Sequence, residues 1–395
     1  MIRIAARVER IQPSLTLAVS AKAAKLKAQG VDVIAFGVGE PDFDTPENIK
    51  AGAVKALARG VSRYTAVSGT AELRAAAAAE LNRAHGTRHA AENVIVSVGA
   101  KHSLYNLFMA LLDDGDEVII PQPCWVSYPE IVMMAGGRPV LLPTVPEDNY
   151  RIDAAALEHL VTPKTRAIVL NSPCNPTGAV YGKETLAGVG RVLAAHPDLC
   201  VITDDIYRRL VYGVEWVSLA RLCPELADRI ILVDGVSKTY AMTGWRIGFC
   251  AGPKELIRAM DTLQSQSTSN PSAVAQAAAL EAITGPQESV AIMHAEFDRR
   301  RRVMVERLRQ IPGVRLREPE GAFYCFPDLS AYLGGQVKDD VALAEWILEK
   351  ARVAVVPGSG FFAPGFVRLS YATSMKLIEE GTARIAAALA ELGTV

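Results

Sequence analysis

Cysteine is scarce and scattered in this chain of 395 residues. The six cysteines lie far apart, and no two of them have C-x-x-C spacing. That spacing is typical of zinc ribbons and dithiol redox motifs, so both kinds of site are disfavoured. The simpler interpretation is a set of reduced thiols buried in a hydrophobic core.

The sequence also has no long hydrophobic run and no excess of charge. No apolar segment approaches the roughly 20 residues that span a bilayer, and the N-terminal MIRIAARVERIQPSL is too charged for a secretory signal. Lys and Arg number 42 against 43 Asp and Glu, which gives no electrostatic reason to expect nucleic acid or an anionic membrane as a partner. We therefore expect a cytoplasmic globular protein, and its length suggests two domains.

Several common catalytic motifs are missing as well. No G-x-G-x-x-G follows a predicted strand, and the phosphate loop G-x-x-x-x-G-K-[ST] is absent. Neither H-E-x-x-H nor G-x-S-x-G occurs, and the six histidines form no ligand-spaced pair with a nearby carboxylate on a predicted helix. These absences disfavour a metal hydrolase and a serine hydrolase, so the cofactor is of another kind or there is none.

Short apolar runs alternate with helical patterns through the middle of the chain. A helix is predicted over 102–112, and the predicted strands cover 93–98, 117–120, 140–142, 167–170, 200–203 and 230–233. Because these strands are continuously apolar, we expect an α/β fold with a mostly parallel sheet that is buried on both faces. After about residue 285 the pattern becomes α+β, with predicted strands at 322–326, 353–356 and 366–371 and helices at 341–350 and 374–392.

A basic run, Arg299-Arg300-Arg301-Arg302, lies in a long predicted helix. Acidic residues flank this run within an amphipathic pattern. The sequence therefore predicts a solvated helix face rather than a nucleic-acid patch.

Three segments with chemically useful side chains follow predicted strands. Lys238 and Arg246 lie beyond the strand at 230–233, Asn175 belongs to the turn Asn171–Gly178, and Asp204 begins D-D-I-Y. The carboxyl ends of parallel strands are where open α/β sheets bind ligands. Taken singly, each segment is explained as well by a surface loop, a rigid turn or a helix cap.

Taken together, these segments resemble the fold-type I pyridoxal-phosphate-dependent aminotransferases. The matching motifs are S-K-T-x-x-x-T-G-W-R-I-G from Ser237, N-S-P-C-N-P-T-G from Asn171, D-D-I-Y from Asp204 and R-L-S-Y-A from Arg368. The resemblance runs from about Pro13 to the last helix and is greatest to bacterial aspartate aminotransferases of the prokaryotic subgroup. It implies a large cofactor-binding domain over 45–284 and a small domain made of 1–44 and 286–395.

The resemblance also implies pyridoxal 5'-phosphate as cofactor. Lys238 matches the lysine that forms a covalent imine with the cofactor and moves the proton of the reaction. Asp204 matches the carboxylate that keeps the pyridine nitrogen protonated. Asn175 and Tyr207 match the donors to the phenolic oxygen of the ring, and Trp125 matches the aromatic side chain that stacks on it.

Residues at a predicted strand–helix junction match the phosphate site. Gly99, Ala100 and Lys101 would offer backbone N–H groups at a helix N-terminus, and Arg246 would supply a planar fork. Tyr64 resembles the tyrosine that reaches the phosphate from the neighbouring subunit, which implies a homodimer with shared active sites. Relatives often carry a phosphate-binding serine three positions before the lysine, where this chain has Gly235, and Ser237 is a weak substitute.

The implied substrates are an L-amino acid and a 2-oxo acid. Arg368 matches the clamp for the α-carboxylate, which Asn175 and Trp125 also approach, and Gly39 matches a close backbone contact to it. In the related aspartate enzymes a lysine at the position of Lys101 and a hydroxyl near Thr16 are associated with the distal carboxylate.

We therefore expect a transaminase for aspartate and 2-oxoglutarate. Three alternatives stay open at this point: an aminotransferase for alanine, aromatic or prephenate-type substrates, a β-lyase of the same fold, and a non-catalytic ligand-binding domain.

Overall fold

The computed structural model describes residues 2–13 and 15–394, with side chains throughout these ranges except at residues 6 and 7. The strands are β1 (Ile34–Ala35), β2 (Val94–Ser97), β3 (Glu117–Gln122), β4 (Arg138–Pro143), β5 (Thr165–Asn171), β6 (Cys200–Asp204), β7 (Ile230–Gly235), β8 (Gly248–Ala251), β9 (Tyr324–Cys325), β10 (Val353–Ala354), β11 (Val356–Pro357) and β12 (Val367–Ser370). The helices are α1 (Ala6–Glu9), α2 (Leu15–Ala28), α3 (Glu47–Ala58), α4 (Ala71–His85), α5 (Ala100–Leu111), α6 (Ser127–Met134), α7 (Ala154–Leu160), α8 (Lys183–Ala195), α9 (Leu219–Leu222), α10 (Lys254–Ser265), α11 (Ala273–Thr284), α12 (Glu288–Arg309), α13 (Asp340–Ala351) and α14 (Met375–Leu392).

A seven-stranded sheet organises the middle of the chain, in the order β2-β8-β7-β6-β5-β3-β4. All neighbouring strands are parallel except β8, which is antiparallel to both β2 and β7. The register pairs Asn171 with Asp204 and Asp204 with Val233, so β5, β6 and β7 end at the same edge. The predicted α/β class with a mostly parallel sheet is confirmed.

Both faces of this sheet are buried, as the continuous apolar strands predict. Along β5, Ile168 and Leu170 belong to one hydrophobic cluster with helices such as α4, α8 and α11. Ala167 and Val169 belong to another cluster, with α5, α6 and α10. This alternation follows from the two-residue period of a strand.

The C-terminal strands form two smaller sheets. The first pairs β1 with β10, and the second has the order β11-β12-β9. The single predicted strand at 353–356 is therefore wrong, because it divides into β10, which pairs with β1, and β11, which pairs with β12. The helices α13 and α14 agree with the predicted ones to within a residue or two. The domain boundaries at 45 and 284–286 stay a prediction.

The basic run on α12 differs from the expectation of a solvated face. Arg300 and Arg301 are only 6% and 8% exposed. Arg300 pairs with Asp42 at 2.6 Å, and Arg301 pairs with Glu318 at 2.6 Å. The prediction is wrong for these two side chains, because the face of α12 that packs inward carries them and the carboxylates of partly exposed acidic residues neutralise their charge.

Two further expectations can be compared with the structure. All six cysteines are unpaired, and all but Cys200 are buried, which confirms the interpretation as reduced core thiols. Within residues 2–13 and 15–394, no helix is both long and apolar enough to cross a membrane. The cytoplasmic location stays a prediction.

Candidate active site

A cleft of about 320 Å³ opens beyond the carboxyl ends of β5, β6 and β7. Elements of the large sheet and of the smaller sheets both contribute to its walls. The structure brings most of the predicted site residues together here: Thr16, Gly39, Ala100, Lys101, Trp125, Asn175, Asp204, Tyr207, Ser237, Lys238, Arg246 and Arg368.

Lys238 lies three residues after β7 and presents its amine to this cleft. Its Nζ donates a hydrogen bond of 2.6 Å to the carbonyl oxygen of Gly39. Desolvation lowers the pKa of Lys238 to about 8, with Glu40 opposing this shift and the nearby cation Arg368 adding to it. The lowered pKa therefore increases the fraction of neutral amine near physiological pH, where the ammonium form still predominates.

Asp204 is the last residue of β6 and is 4% exposed. Its Oδ2 accepts a hydrogen bond of 2.7 Å from the hydroxyl of Tyr128. Its Oδ1 is buried and has no hydrogen-bond partner among the described residues. Burial raises the pKa of Asp204 to about 6, although the hydrogen bond from Tyr128 lowers it. A buried acceptor without a partner is costly, so this oxygen is suited to a donor that comes from a ligand.

Asn171 fixes the backbone around this carboxylate. Its Nδ2 donates to the carbonyl oxygen of Asp204 at 2.8 Å, and its Oδ1 accepts from the backbone N–H of Asn175 at 2.8 Å. One amide side chain thus sets the geometry at the ends of both β5 and β6.

Arg368 in β12 is 2% exposed and faces Asn175 across the cleft. Its Nη1 donates to Asn175 Oδ1 at 2.9 Å, and its Nη2 donates to the carbonyl oxygen of Gly37 at 2.8 Å. Its Nε has no partner within the described chain. A guanidinium has five N–H donors, so this one keeps donors for an incoming carboxylate.

Two tyrosines join the large sheet to the second of the smaller sheets. The hydroxyls of Tyr207, which follows β6, and Tyr324, in β9, lie 2.8 Å apart. Gly39 lies against this pair, because a Cβ built on it would lie 3.0 Å from the Tyr324 hydroxyl. The absence of a side chain at Gly39 thus allows the backbone to approach Tyr324 closely, and its contact with the substrate carboxylate stays a prediction.

The start of α5 and Arg246 form one end of the cleft. Gly99 precedes the helix with φ +86° and ψ 159°, and no side chain caps the N-terminus. A Cβ on Gly99 would lie only 2.3 Å from Arg246 Nη2. Arg246 is held there by its donation to the carbonyl oxygen of Thr243 at 2.9 Å. Free N–H groups and a guanidinium at one place make a site for an anion.

Lys101 extends from the first turn of α5 over an aromatic ring. Its Nζ lies 4.9 Å from the centroid of the Trp125 ring, which places a cation over a π face. Desolvation, followed by the charge of Arg246, lowers the pKa of Lys101. Thr16, on the second residue of α2, lines the same cleft.

Two predicted residues do not line the cleft. Gly99 lies behind Arg246, with which it is in contact. Tyr64 is 91% exposed and lies apart from the cleft. Its expected role requires a second subunit and stays a prediction.

Sequence reasoning missed Tyr128, Asn171 and Tyr324 as members of the site. Asn171 and Tyr128 lie inside the segments that were recognised, but their roles depend on partners 33 and 76 residues away in sequence. Tyr324 lies in the strand predicted at 322–326, to which no role in the site was assigned. For Asn171 and Tyr128, the only available signal was their position inside a recognised segment, and for Tyr324 there was none.

Comparison with known proteins gives the family. Residues 31–385 match the family described as Aminotransferase class I and II. The chain belongs to the class I and II aminotransferases. It is 46% identical to the aspartate/prephenate aminotransferase of Nitrosomonas europaea, over 98% of this chain and 100% of that protein. It is 47% identical to the aspartate aminotransferase of Geobacillus stearothermophilus, over 97% of this chain and 98% of that one.

Solved structures of the family agree with the fold. The Thermus thermophilus aspartate aminotransferase with maleate has a TM-score of 0.93 and 45% identity, covering 98% of this chain and 100% of that one. The Rhizobium meliloti aspartate aminotransferase has a TM-score of 0.95 and 44% identity, covering 99% of each chain. Aminotransferases of this class depend on pyridoxal 5'-phosphate and act on amino acids and 2-oxo acids. The predicted aminotransferase activity and its cofactor are thereby confirmed.

Proposed function

We propose that this aminotransferase moves the amino group of L-aspartate to a 2-oxo acid, with 2-oxoglutarate as the expected acceptor, in two half-reactions of a ping-pong cycle. One observation carries the proposal. The amine of Lys238 and the buried carboxylate of Asp204, whose Oδ1 has no partner in the described chain, line a single cleft with Arg368. This combination suits a ring that bears a cationic nitrogen and a substrate that bears a carboxylate.

The residues of the cleft fit pyridoxal 5'-phosphate. When bound, the cofactor supplies an aldehyde that takes up the amino group and a ring that accepts electrons from the substrate α-carbon. Asp204 Oδ1 would accept the N–H of the ring nitrogen, and its negative charge would keep that nitrogen protonated. The N–H groups that begin α5 and the guanidinium of Arg246 would hold the phosphate.

Four further side chains complete the proposed cofactor site. Tyr207 and Asn175 would donate hydrogen bonds to the phenolic oxygen of the ring. The face of Trp125 would pack on the ring and exclude water from it. Ser237 is 7% exposed and lines the cleft, where its hydroxyl is available to the phosphate.

Lys238 is the proposed catalytic residue. Its Nζ would hold the cofactor by condensing with its aldehyde with loss of water and, as a free amine, would accept the proton of the substrate α-carbon and return it. Because the pKa of Lys238 is lowered to about 8 in the cleft, the amine can both accept and return this proton near neutral pH. Borohydride reduction of the holoenzyme followed by peptide mapping should label Lys238, and label at another lysine would refute this assignment.

Arg368 would bind the α-carboxylate of every amino-acid substrate. Its buried guanidinium keeps Nε and one N–H on each Nη free after its bonds to Asn175 and Gly37. These donors suit a planar carboxylate. Gly39 would leave room for the substrate beside the Tyr324 hydroxyl.

Lys101 and Thr16 would recognise the distal carboxylate of aspartate. The maleate of the Thermus thermophilus complex is a four-carbon dicarboxylate, as aspartate is, and its presence there supports a pocket for two carboxylates in this chain. We expect Lys101→Ala to lower kcat/KM for aspartate about tenfold or more, while kcat/KM for alanine changes little, because only aspartate has a second carboxylate.

Lys164→Ala is the matched control for this experiment, because Lys164 is an exposed lysine outside the cleft. It should leave both substrates unaffected. Equal losses for aspartate and alanine in Lys101→Ala would refute the proposed role of Lys101 and would point to the phosphate instead.

The half-reaction separates transamination from β-elimination at the same site. Mixing the holoenzyme with aspartate alone should convert the bound cofactor to its amine form and release oxaloacetate. A β-lyase needs a leaving group on the β-carbon, which aspartate lacks. It would leave aspartate unchanged and would release ammonia and pyruvate from a thioether amino acid such as cystathionine, while the cofactor keeps its aldehyde form. Absorbance spectra and an ammonia assay on the same sample distinguish these outcomes.

Prephenate is a second candidate acceptor. The relatives from Nitrosomonas europaea and Cereibacter sphaeroides are named aspartate/prephenate aminotransferases, at 46% and 47% identity. Prephenate and 2-oxoglutarate both combine a 2-oxo acid with a second carboxylate. If prephenate is an acceptor, it should convert the bound cofactor from its amine form back to its aldehyde form. Unchanged absorbance spectra would exclude prephenate as an acceptor.

We further propose a homodimer in which Tyr64 serves the neighbouring active site. Tyr64 is 91% exposed, and Val54 and Leu57 expose apolar side chains on α3. Large exposed aromatic and aliphatic groups are typical of protein interfaces. Sedimentation should give twice the chain mass of 42.4 kDa, and Tyr64→Phe should weaken binding of the cofactor phosphate. A monomer with full cofactor affinity would refute this arrangement.

A further inference from the structure

The hydroxyl of Tyr128 contacts the carboxylate of Asp204, and the proposed function gives Tyr128 no role. Tyr128 lies in the first turn of α6 and is 1% exposed. Its hydroxyl donates to Asp204 Oδ2 at 2.7 Å, an ordinary distance for a well-formed O–H···O hydrogen bond. The ring of Tyr128 packs edge-on against Trp125, with centroids 5.2 Å apart.

This contact makes the two oxygens of the Asp204 carboxylate different from each other. Oδ2 is occupied by Tyr128, while Oδ1 is buried and has no partner among the residues described. A carboxylate held at one oxygen cannot rotate freely, so the direction of the other oxygen is also fixed. A hydrogen bond to the charged form also favours that form over the protonated acid.

We propose that Tyr128 is a positioning residue that keeps Asp204 charged and directs its free Oδ1 to the nitrogen of the cofactor ring. This inference rests on the proposed function for the identity of the ring. Tyr128 itself touches neither substrate nor cofactor in this account, because it acts through Asp204.

Among the polar groups around Asp204, Tyr128 does most to stabilise the negative charge of its carboxylate. Burial favours the protonated acid, and the neighbouring carboxylate of Asp234 acts in the same direction. Lys238 and the backbone N–H of Ile206 favour the charged form together with Tyr128. In Tyr128→Phe the desolvation remains but the hydrogen bond is lost, so we expect the pKa of Asp204 to rise above its present value of about 6.

The first test follows Asp204 in the apoprotein, without any cofactor. Infrared difference spectra across pH 5 to 9 report the protonated carboxyl group, and Asp204→Asn identifies its band. We expect the midpoint in Tyr128→Phe to lie at least about one pH unit higher than in the unchanged protein, as loss of a hydrogen bond to a charged group implies. An unchanged midpoint in a folded variant would overturn the proposal.

The second test measures binding of pyridoxamine 5'-phosphate, which forms no covalent bond with Lys238. Calorimetry at pH 7.5 should show affinity reduced about tenfold or more in Tyr128→Phe. In a protein that already carries Asp204→Asn, Tyr128→Phe should lower the affinity for pyridoxamine 5'-phosphate less than twofold, because there is no carboxylate to position. Equal losses in both backgrounds would show a merely structural role and overturn the proposal.

Tyr212→Phe is the matched control for both tests. Tyr212 is 4% exposed, and its hydroxyl donates at 2.7 Å to the carbonyl oxygen of Ala322, outside the cleft. It should lower the thermal unfolding midpoint about as much as Tyr128→Phe does. The titration midpoint of Asp204 should stay unchanged, and the affinity for pyridoxamine 5'-phosphate should change less than twofold. If the unchanged apoprotein binds no pyridoxamine 5'-phosphate, the proposed cofactor site fails, whereas the infrared titration still decides the role of Tyr128.

Discussion

Gly99→Ala, which adds one methyl group, should weaken binding of the cofactor phosphate by more than its effect on folding alone explains. The φ of +86° and ψ of 159° at Gly99 lie in a region that is essentially restricted to glycine. Gly99→Ala should therefore cost about 1–3 kcal/mol of stability from backbone strain alone. The new Cβ would also lie 2.3 Å from Arg246 Nη2, so the guanidinium has to move.

The displaced guanidinium is the one proposed to hold the phosphate. A hydrogen bond to a charged group contributes about 1.5–3 kcal/mol, which corresponds to about a 10- to 150-fold change in affinity. We expect Gly99→Ala to weaken pyridoxal 5'-phosphate by this factor but to change the binding of pyridoxal, which lacks the phosphate, much less. The assay compares the two dissociation constants in each variant by titration of the apoprotein.

Gly115→Ala supplies the control, because Gly115 has the same φ of +86° but no atom within 4 Å of an added Cβ. Both variants should show lowered thermal unfolding midpoints, whereas only Gly99→Ala should lose its preference for the phosphorylated ligand. If Gly99→Ala keeps the preference of the unchanged protein, Arg246 and the start of α5 do not form the phosphate site.

Three further results are expected. Since the pKa of Lys238 is lowered to about 8, the rate at which the apoprotein forms a borohydride-reducible bond with pyridoxal 5'-phosphate should rise with pH through about 8 and then level off; a rate independent of pH between 6 and 9.5 would contradict this. Arg368→Lys should raise KM about tenfold or more for aspartate and alanine alike, because a single ammonium cannot replace the guanidinium fork that also holds Asn175; an effect on aspartate alone would be contrary to a role at the α-carboxylate. Burial lowers the pKa of His85 from 6.5 to about 3, so the unfolded chain binds a proton that the folded chain does not, and His85 should reduce the free energy of unfolding by about 1.4 kcal/mol for each pH unit between 6.5 and 3 as pH falls. Urea denaturation should show a smaller dependence on pH in His85→Gln than in the unchanged protein, and identical slopes would show that His85 is charged in the fold.

The sequence predicts the cleft well because its chemistry depends on strand ends. Asn175, Asp204 and Lys238 each follow an apolar strand, and parallel neighbouring strands bring such positions to one edge without any detailed knowledge of packing. Arg368 is a different case, since it lies in β12 of a smaller sheet. Only the resemblance to a known family placed it in the site.

What the sequence could not predict depends on contacts between distant segments. The bond from Tyr128 to Asp204 spans 76 residues, and the bond between Tyr207 and Tyr324 spans 117. The strand β8 was missed because it is four residues long and begins at a glycine, so its pattern carries little information. Arg300 was misjudged because helical periodicity does not show which acceptors lie opposite a charged side chain.

Burial makes the cleft an unfavourable place for the charged groups that these separate segments bring together. Burial lowers the pKa values of Lys238 and Arg368 and raises that of Asp204. For each of these groups, burial therefore makes the charged form less favourable. A sequence selected for stability alone would fill such a place with apolar side chains. A ligand with a cationic nitrogen and carboxylates supplies opposite charges to Asp204 and Arg368, and so relieves the cost of burying them. Because binding to the folded chain alone stabilises it, this compensation of buried charge would contribute to the affinity for cofactor and substrate.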